Sequence, residues 1–373
     1  MKVLYITTIV DTMDFFIDHI KMLQNMGHIV EIACNINNAM STQNINVNCK
    51  AHDIPFSRVP LSKDNIIAYK KLKELIKKEN YDMIHCHTPN AAVITRLICR
   101  KIRRSGLKVI YTAHGFHFYK GAPIKNWLLY YPIEKICSYW TDVLITINRE
   151  DYEFSKKKMH AKRLEYVPGV GIDLKKFDEI NVNQIEKRRE LAVPPNAKLL
   201  LSVGELNKNK NHETVIKAIA NMKDVYYIIA GSGNLQEHLE LIIKQYNLNE
   251  RVKLLGFRND IGELCQCADI FVFPSFREGL SVALMEAMAN QLPVVCSKIR
   301  GNIDLIDPEG GEYFSPYNIN ELKDKLMILV QMSKQELISK GEYNSKKIKE
   351  FDKSVVENKI KRVYKEVCEK IKK

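Results

Sequence analysis

Short apolar runs alternate with amphipathic stretches along the whole chain. Residues 3–8 form an apolar, β-branched run that predicts a buried strand, and residues 15–26 carry helical periodicity closed by Gly27. The same reading predicts strands at 29–34, 83–86 and 109–112, with an amphipathic helix over 66–78. A turn-rich passage, Tyr166-Val-Pro-Gly169-Val-Gly171-Ile-Asp173, is followed by a polar stretch over 178–196 ending in Pro194-Pro195. A fresh series of apolar runs then begins, at 199–203, 226–230, 252–255, 270–273 and 294–296. Strand-helix alternation of this kind predicts parallel sheets wound on both faces, with ligands at the carboxyl ends of the strands. Two series predict two Rossmann-like α/β domains, over residues 1–165 and 166–352, and residues 353–373 predict a long basic amphipathic helix.

Composition narrows the class. A chain of 373 residues with 46% hydrophobic and 27% charged residues has material for two cores and describes a soluble globular protein. No apolar run reaches the ~18 residues of a membrane span, and residues 1–10 read as a first strand, with no cleavage site after them. The nine cysteines are odd in number and scattered, which predicts reduced thiols in a cytoplasmic protein. Cys265-Gln-Cys267 and His85-Cys86-His87 lack partner pairs at zinc-like spacing, so no metal site is expected.

The net charge of +13 is uneven: residues 1–165 hold 25 Lys/Arg against 15 Asp/Glu, and the remainder 32 against 29. Arg96, Arg100, Lys101, Arg103 and Arg104 lie in one predicted helix, near an aromatic-rich patch of Trp127, Leu128, Leu129, Tyr130 and Tyr131 between Lys120, Lys125 and Lys135. Such a surface suits either peripheral contact with an anionic membrane or an ordinary helix with a solvated basic face. No nucleic-acid module accompanies the charge. A dinucleotide-binding dehydrogenase should carry Gly-x-Gly-x-x-Gly after the first strand; here that turn, Thr7 to Thr12, contains no glycine.

The densest chemistry lies in residues 269–290. The strand 270–273 stops at Pro274, a loop carries Glu278 and Gly279, and Ser281 is placed to cap a helix beginning near Leu280 and Val282. A helix start offers free N–H groups and partial positive charge, which suits a phosphate. Glu286 follows eight residues after Glu278, at most roughly 12 Å away along a helix. Glu278-x7-Glu286 within FREGLSVALMEAMANQLPVV resembles the signature of family 4 glycosyltransferases, retaining enzymes of the GT-B fold. YTAHGFHFYKG, VPGVGIDL and CSKIRGNIDLI resemble bacterial members that assemble exopolysaccharide and capsule.

The resemblance implies two facing Rossmann-like domains across a cleft, with the last helix packed back on the first. It implies transfer of a hexose or N-acetylhexosamine from a nucleotide-sugar, UDP-linked by family leaning, to a lipid-linked saccharide. Glu278 then serves the donor sugar, Glu286 the ribose diol, His114 the sugar, and Lys210 the diphosphate, with Glu278, His114 and Lys210 as the catalytic set. Gly204, Gly231, Phe257, Arg258, Gly279, Leu280, Ser281 and Val282 complete the implied donor site. The family's arginine five residues before the lysine is replaced by Glu205, which would repel a diphosphate at short range; Lys208 or Arg277 compensates, or Glu205 points away. No Asp-x-Asp motif occurs, so the resemblance implies metal-independent transfer with no cofactor. An epimerase of the same fold and a catalytically idle partner subunit are the competing readings.

Overall fold

The computed structural model describes residues 1–37, 48–178, 180 and 182–372. Contacts divide the chain into two compact units, Met1–Val170 with Ser354–Lys373, and Gly171–Lys353. The passage between them turns at Gly169 and Gly171, with φ of 71° and 76°, values that favour glycine.

The first unit holds β1 (Lys2–Ile9), β2 (Ile29–Asn35), β3 (Lys50–Asp53), β4 (Met83–His87), β5 (Lys108–Ala113), β6 (Val143–Thr146) and β7 (Arg163–Tyr166). They form one parallel sheet in the order β3-β2-β1-β4-β5-β6-β7. The second unit holds β8 (Lys198–Val203), β9 (Val225–Ala230), β10 (Val252–Leu254), β11 (Ile270–Phe273), β12 (Val294–Ser297) and β13 (Gly311–Phe314). Their order, β10-β9-β8-β11-β12-β13, repeats the pattern of the first sheet without its last strand. In each sheet the winding direction reverses beside the first strand, between β1 and β4 and between β8 and β11. Loops at the carboxyl ends of those strands form the crevice where open α/β sheets hold ligands.

Each sheet is covered on both faces. Leu4, Ile6, Ile84 and Val109 pack with Ala68, Leu72 and Ala91 from the helices Lys63–Glu79 and Pro89–Ile102. On the other face Val3, Tyr5, Ile110 and Ile145 pack with Ile20 and Leu23, and with Val356, Ile360, Val363 and Tyr364 of the helix Lys353–Lys372. That helix therefore completes the core of the first unit; Lys373 lies outside the described residues. The near-total burial of the central strands explains their continuous apolar reading.

Two sequence expectations change, and one segment gains an element that the sequence reading did not assign. The polar stretch 178–196 contains a helix, Gln184–Glu190, started by the Asn183 side chain accepting from Glu186 N; Glu179 and Asn181 lie outside the described residues. Arg96 does not join a basic face: it is 1% exposed, paired with Glu134 at 2.9 Å and stacked over the Tyr111 ring, because a buried guanidinium needs both a counter-charge and a partner face. Trp127, Tyr130 and Tyr131 turn inward against the core, with Trp127 and Tyr131 packing around Phe118 and Phe154. The outward face of their helix, Ile124–Ser138, keeps Leu128 and Leu129 of that patch and adds Ile124, Ile133 and Ile136. Among the described residues no helix is long and apolar enough to cross a membrane.

Candidate active site

At the second sheet's switch point the loop after β8 carries Gly204, Glu205 and Lys210, and the loop after β11 carries Glu278 and Gly279. Two hydrogen bonds tie these loops together: Phe276 N donates to Asn209 O at 2.8 Å, and Asn209 Nδ2 donates to Arg277 O at 2.9 Å. Lys210 N donates to Asn207 Oδ1 at 3.0 Å, which tightens the turn before it. Lys210 Nζ then meets Glu278 Oε1 at 2.8 Å, 4.9 Å from the centre of the Phe273 ring. The two side chains are only 20% and 14% exposed, so the pair works where water screens it weakly.

The helix Val282–Ala289 starts just beyond. Ser281 caps it, its side chain accepting from Leu284 N at 3.3 Å. A cap at that position leaves other first-turn N–H groups without intrahelical acceptors, so a partial positive charge lies beside Gly279 and Leu280. Behind this loop sits Arg300, 4% exposed, whose Nε donates to Glu278 O at 3.3 Å. Next to it Gly301 adopts φ 79°, and a Cβ there would stand 2.3 Å from Gly279 O. Only glycine permits that approach, so the turn acts as a rigid backing for the Glu278 loop.

The neighbouring loops converge by the same device. A Cβ on Gly231 would lie 2.0 Å from Gly204 O, while Gly204 N bonds Ala230 O at 3.0 Å and Gly231 N bonds Gly256 O at 2.7 Å. Gly204, Gly231 and Phe257 thus lie on three contiguous loops at the ends of β8, β9 and β10. Phe257 is 77% exposed and open to stacking. Arg258 is engaged otherwise, donating to Asp260 and pairing with Glu190 at 3.3 Å, so it braces the helix Gln184–Glu190 against its own loop.

Glu286 lies within the capped helix. Burial raises its carboxyl above the ordinary glutamate value, the charge of Lys176 opposing that shift. Its carboxylate makes no hydrogen bond or ion pair among the described residues, which leaves a half-buried acceptor available to hydroxyl groups. Glu205 is exposed and has no ion-pair partner among the described residues; Lys208 and Arg277 are exposed as well. A cavity of about 1520 Å³ at the opposite, amino-terminal edge of this sheet is lined by residues such as Pro194, Lys198, Asp269 and Pro293, and by none of these loop residues.

The first sheet's switch point has different contents. His114 follows β5, and its Nε2 lies 3.0 Å from Nδ1 of His87, the last residue of β4. Burial, with the nearby His19 adding to it, pushes His114 down to about 4 and so keeps it neutral at pH 7. In the sequence His87 drew notice only within His85-Cys86-His87, as a metal-ligand candidate that was set aside, and the β4 run was read as ending at Cys86. The alternation of His85, Cys86 and His87 along a strand that ends at a switch point was the available signal.

These features define an α/β protein with two switch points, one lined by an ion pair and one by neutral imidazoles. The profile of the Glycosyl transferases group 1 family matches residues 183–347, and that of Glycosyl transferase 4-like proteins matches residues 2–148. The chain is 37% identical over 304 residues to the putative glycosyltransferase EpsD of Bacillus subtilis, covering 80% of this chain and 78% of that one. It is 30% identical over 298 residues to the UDP-Gal:alpha-D-GlcNAc-diphosphoundecaprenol alpha-1,3-galactosyltransferase of Escherichia coli, covering 75% of each. Anabaena Alr3699/HepE, solved in complex with UDP, superposes with a TM-score of 0.81 at 19% identity, over 98% of this chain and 100% of that one. The chain belongs to the family 4 glycosyltransferases, has the GT-B fold and resembles the bacterial enzymes of surface polysaccharide synthesis.

Proposed function

We propose that this glycosyltransferase moves a hexose or N-acetylhexosamine from a UDP-linked donor to a lipid-linked saccharide, with retention at the anomeric carbon. The observation that carries the reading is the Lys210–Glu278 pair at the second switch point, beside a capped helix start. The named substrates of the Escherichia coli relative, a UDP-sugar and a diphosphoundecaprenol-linked acceptor, supply the substrate classes.

In this reading Lys210 and the N–H groups near Leu280, Ser281 and Val282 take the diphosphate, whose charge rises as the glycosidic bond breaks. Glu278 accepts hydrogen bonds from sugar hydroxyls and stabilises the oxocarbenium-like centre. Glu286 accepts from the ribose diol, and Phe257 stacks on the base beside the Gly204 and Gly231 turns. His114 hydrogen-bonds the donor sugar. The departing phosphate oxygen takes the acceptor's proton on the same face, so the chemistry requires no protein base. The cations already present lead us to assign metal-independent transfer.

The outward face of the helix Ile124–Ser138 supports peripheral residence on an anionic lipid surface at the inner face of the cell membrane. Ile124 is 77% exposed, Leu128 74% and Ile136 53%, next to Lys120 and Lys125. Apolar side chains beside lysines suit the headgroup boundary of a charged bilayer.

The test is a screen of nucleotide-sugars for transfer to a diphosphoundecaprenol-linked saccharide, run beside Glu278→Ala. Transfer that is lost in the variant supports the assignment. Isomerisation of the donor without acceptor would favour an epimerase, and transfer unchanged in Glu278→Ala would remove the site.

A further inference from the structure

His87 lies at the first switch point and is 1% exposed. Phe16 stacks on its ring at 4.1 Å between centroids and Tyr5 at 4.7 Å, so its rotamer is clamped. The adjacent His85 cannot compete for it, because both His85 nitrogens are occupied: Nδ1 by Tyr364 Oη at 2.7 Å and Nε2 by Thr112 Oγ1 at 2.8 Å. Among the described residues the one polar contact of the His87 ring is the 3.0 Å approach of its Nδ1 to His114 Nε2. Its own Nε2 is buried without a hydrogen-bond partner among the described residues.

This arrangement restricts the tautomers. Desolvation holds His87 well below its ordinary value and His114 down to about 4, so each ring carries one hydrogen at neutral pH. A single hydrogen occupies the 3.0 Å contact. If His114 donated it, His87 would carry its own hydrogen on Nε2, as a buried donor with no acceptor. If His87 donates it from Nδ1, the buried Nε2 is a bare lone pair, and the hydrogen of His114 lies on Nδ1. Buried donors without acceptors are the rarer and costlier arrangement, which selects the second.

We propose that His87 is a positioning residue that holds His114 as its Nδ1–H tautomer, so that His114 acts as a neutral hydrogen-bond donor to an oxygen of the bound sugar. The proposal rests on the assignment of His114 to the donor sugar. It gives that assignment a direction: at this point the sugar is recognised by an oxygen that accepts, and His114 does not act as a base.

The test is long-range nitrogen–proton NMR of the imidazoles in the full chain, with the His114 signals assigned by their loss in His114→Gln. The expected spectrum shows His114 protonated at Nδ1 in the wild-type protein and drifting towards Nε2–H in His87→Phe. Transfer should fall at least tenfold in His87→Phe, mainly in kcat. It should recover in His87→Asn, whose amide keeps a donor near the Nδ1 position. A wild-type His114 protonated at Nε2 overturns the proposal, as does an unchanged tautomer in His87→Phe. If His87→Phe does not fold, the wild-type spectrum alone decides. The tautomer is read without substrate, so an Nδ1–H signal in a protein that turns over no nucleotide-sugar would count against the proposed function and not against the contact.

Discussion

The two sheets share a strand order and differ in what they place at the reversal point. In the second unit the crevice between β8 and β11 holds a charge pair, Lys210 with Glu278, backed by the buried Arg300. In the first, the crevice beside β1 and β4 holds His87 and His114, both depressed by burial to neutrality and packed with Phe16 and Tyr5. One topology thus carries two kinds of side-chain chemistry. Ionic groups suit a diphosphate whose charge grows during reaction, whereas fixed neutral donors suit hydroxyls whose charge does not change. The fold supplies the crevice, and the loop residues decide its chemistry.

The ionic side should be the more sensitive to mutation. Glu278→Gln keeps the shape and removes the charge opposite Lys210, and kcat for transfer should fall by about 10²–10³-fold, the size expected for a group acting mainly in the transition state. A loss below threefold in steady-state assays would break the contrast between the two crevices.

The neutral side should show itself in pH dependence. His85, His87 and His114 all have folded-state values below that of free histidine, and they face Tyr5, His19, Thr112 and Tyr364. Between about 6.5 and 4 the unfolded chain binds protons that these rings refuse, so stability is lost as pH falls through that window. Denaturant midpoints should decline from pH 7 to pH 5, and less steeply in His114→Gln. A midpoint unchanged over that range would contradict neutral burial.

Glu286→Gln should separate binding from folding. Burial raises the Glu286 carboxyl, so its charge costs the free protein stability above that raised value and costs less as pH falls through it. The amide should raise the melting temperature at pH 7 while weakening UDP binding about tenfold, through loss of charge-assisted bonds to the ribose. Calorimetry that finds both quantities unchanged would remove Glu286 from the site.

The smallest effect belongs to Glu205. Its carboxylate is exposed, so water screens its repulsion of a diphosphate. Glu205→Arg should tighten UDP binding only a few-fold at low salt and hardly at all at high salt.

Much of the ionic crevice was legible because its parts are local. Glu278, Gly279 and Ser281 share one loop and cap, whereas Lys210 was named through the family resemblance, which places a lysine in the loop after that strand. The neutral crevice was less so. His114 was visible at a strand end, but its contact with His87 joins residues 27 apart at the ends of adjacent strands, which periodicity does not report. The helix Ile124–Ser138 misled for another reason. It is apolar nearly all round and contains Pro132, so nothing in its pattern told the inward Trp127 and Tyr131 from the outward Leu128 and Ile136. The fate of Arg96 depended on Glu134, in another helix and 38 positions away.

The most direct measurement of the central claim is calorimetric binding of UDP and of uridine to the wild-type protein and to Lys210→Met. The lysine is assigned to the diphosphate alone, so UDP affinity should fall at least tenfold in the variant while uridine affinity stays the same. Equal losses for both ligands, or no loss for UDP, would contradict a donor site built on Lys210 and Glu278.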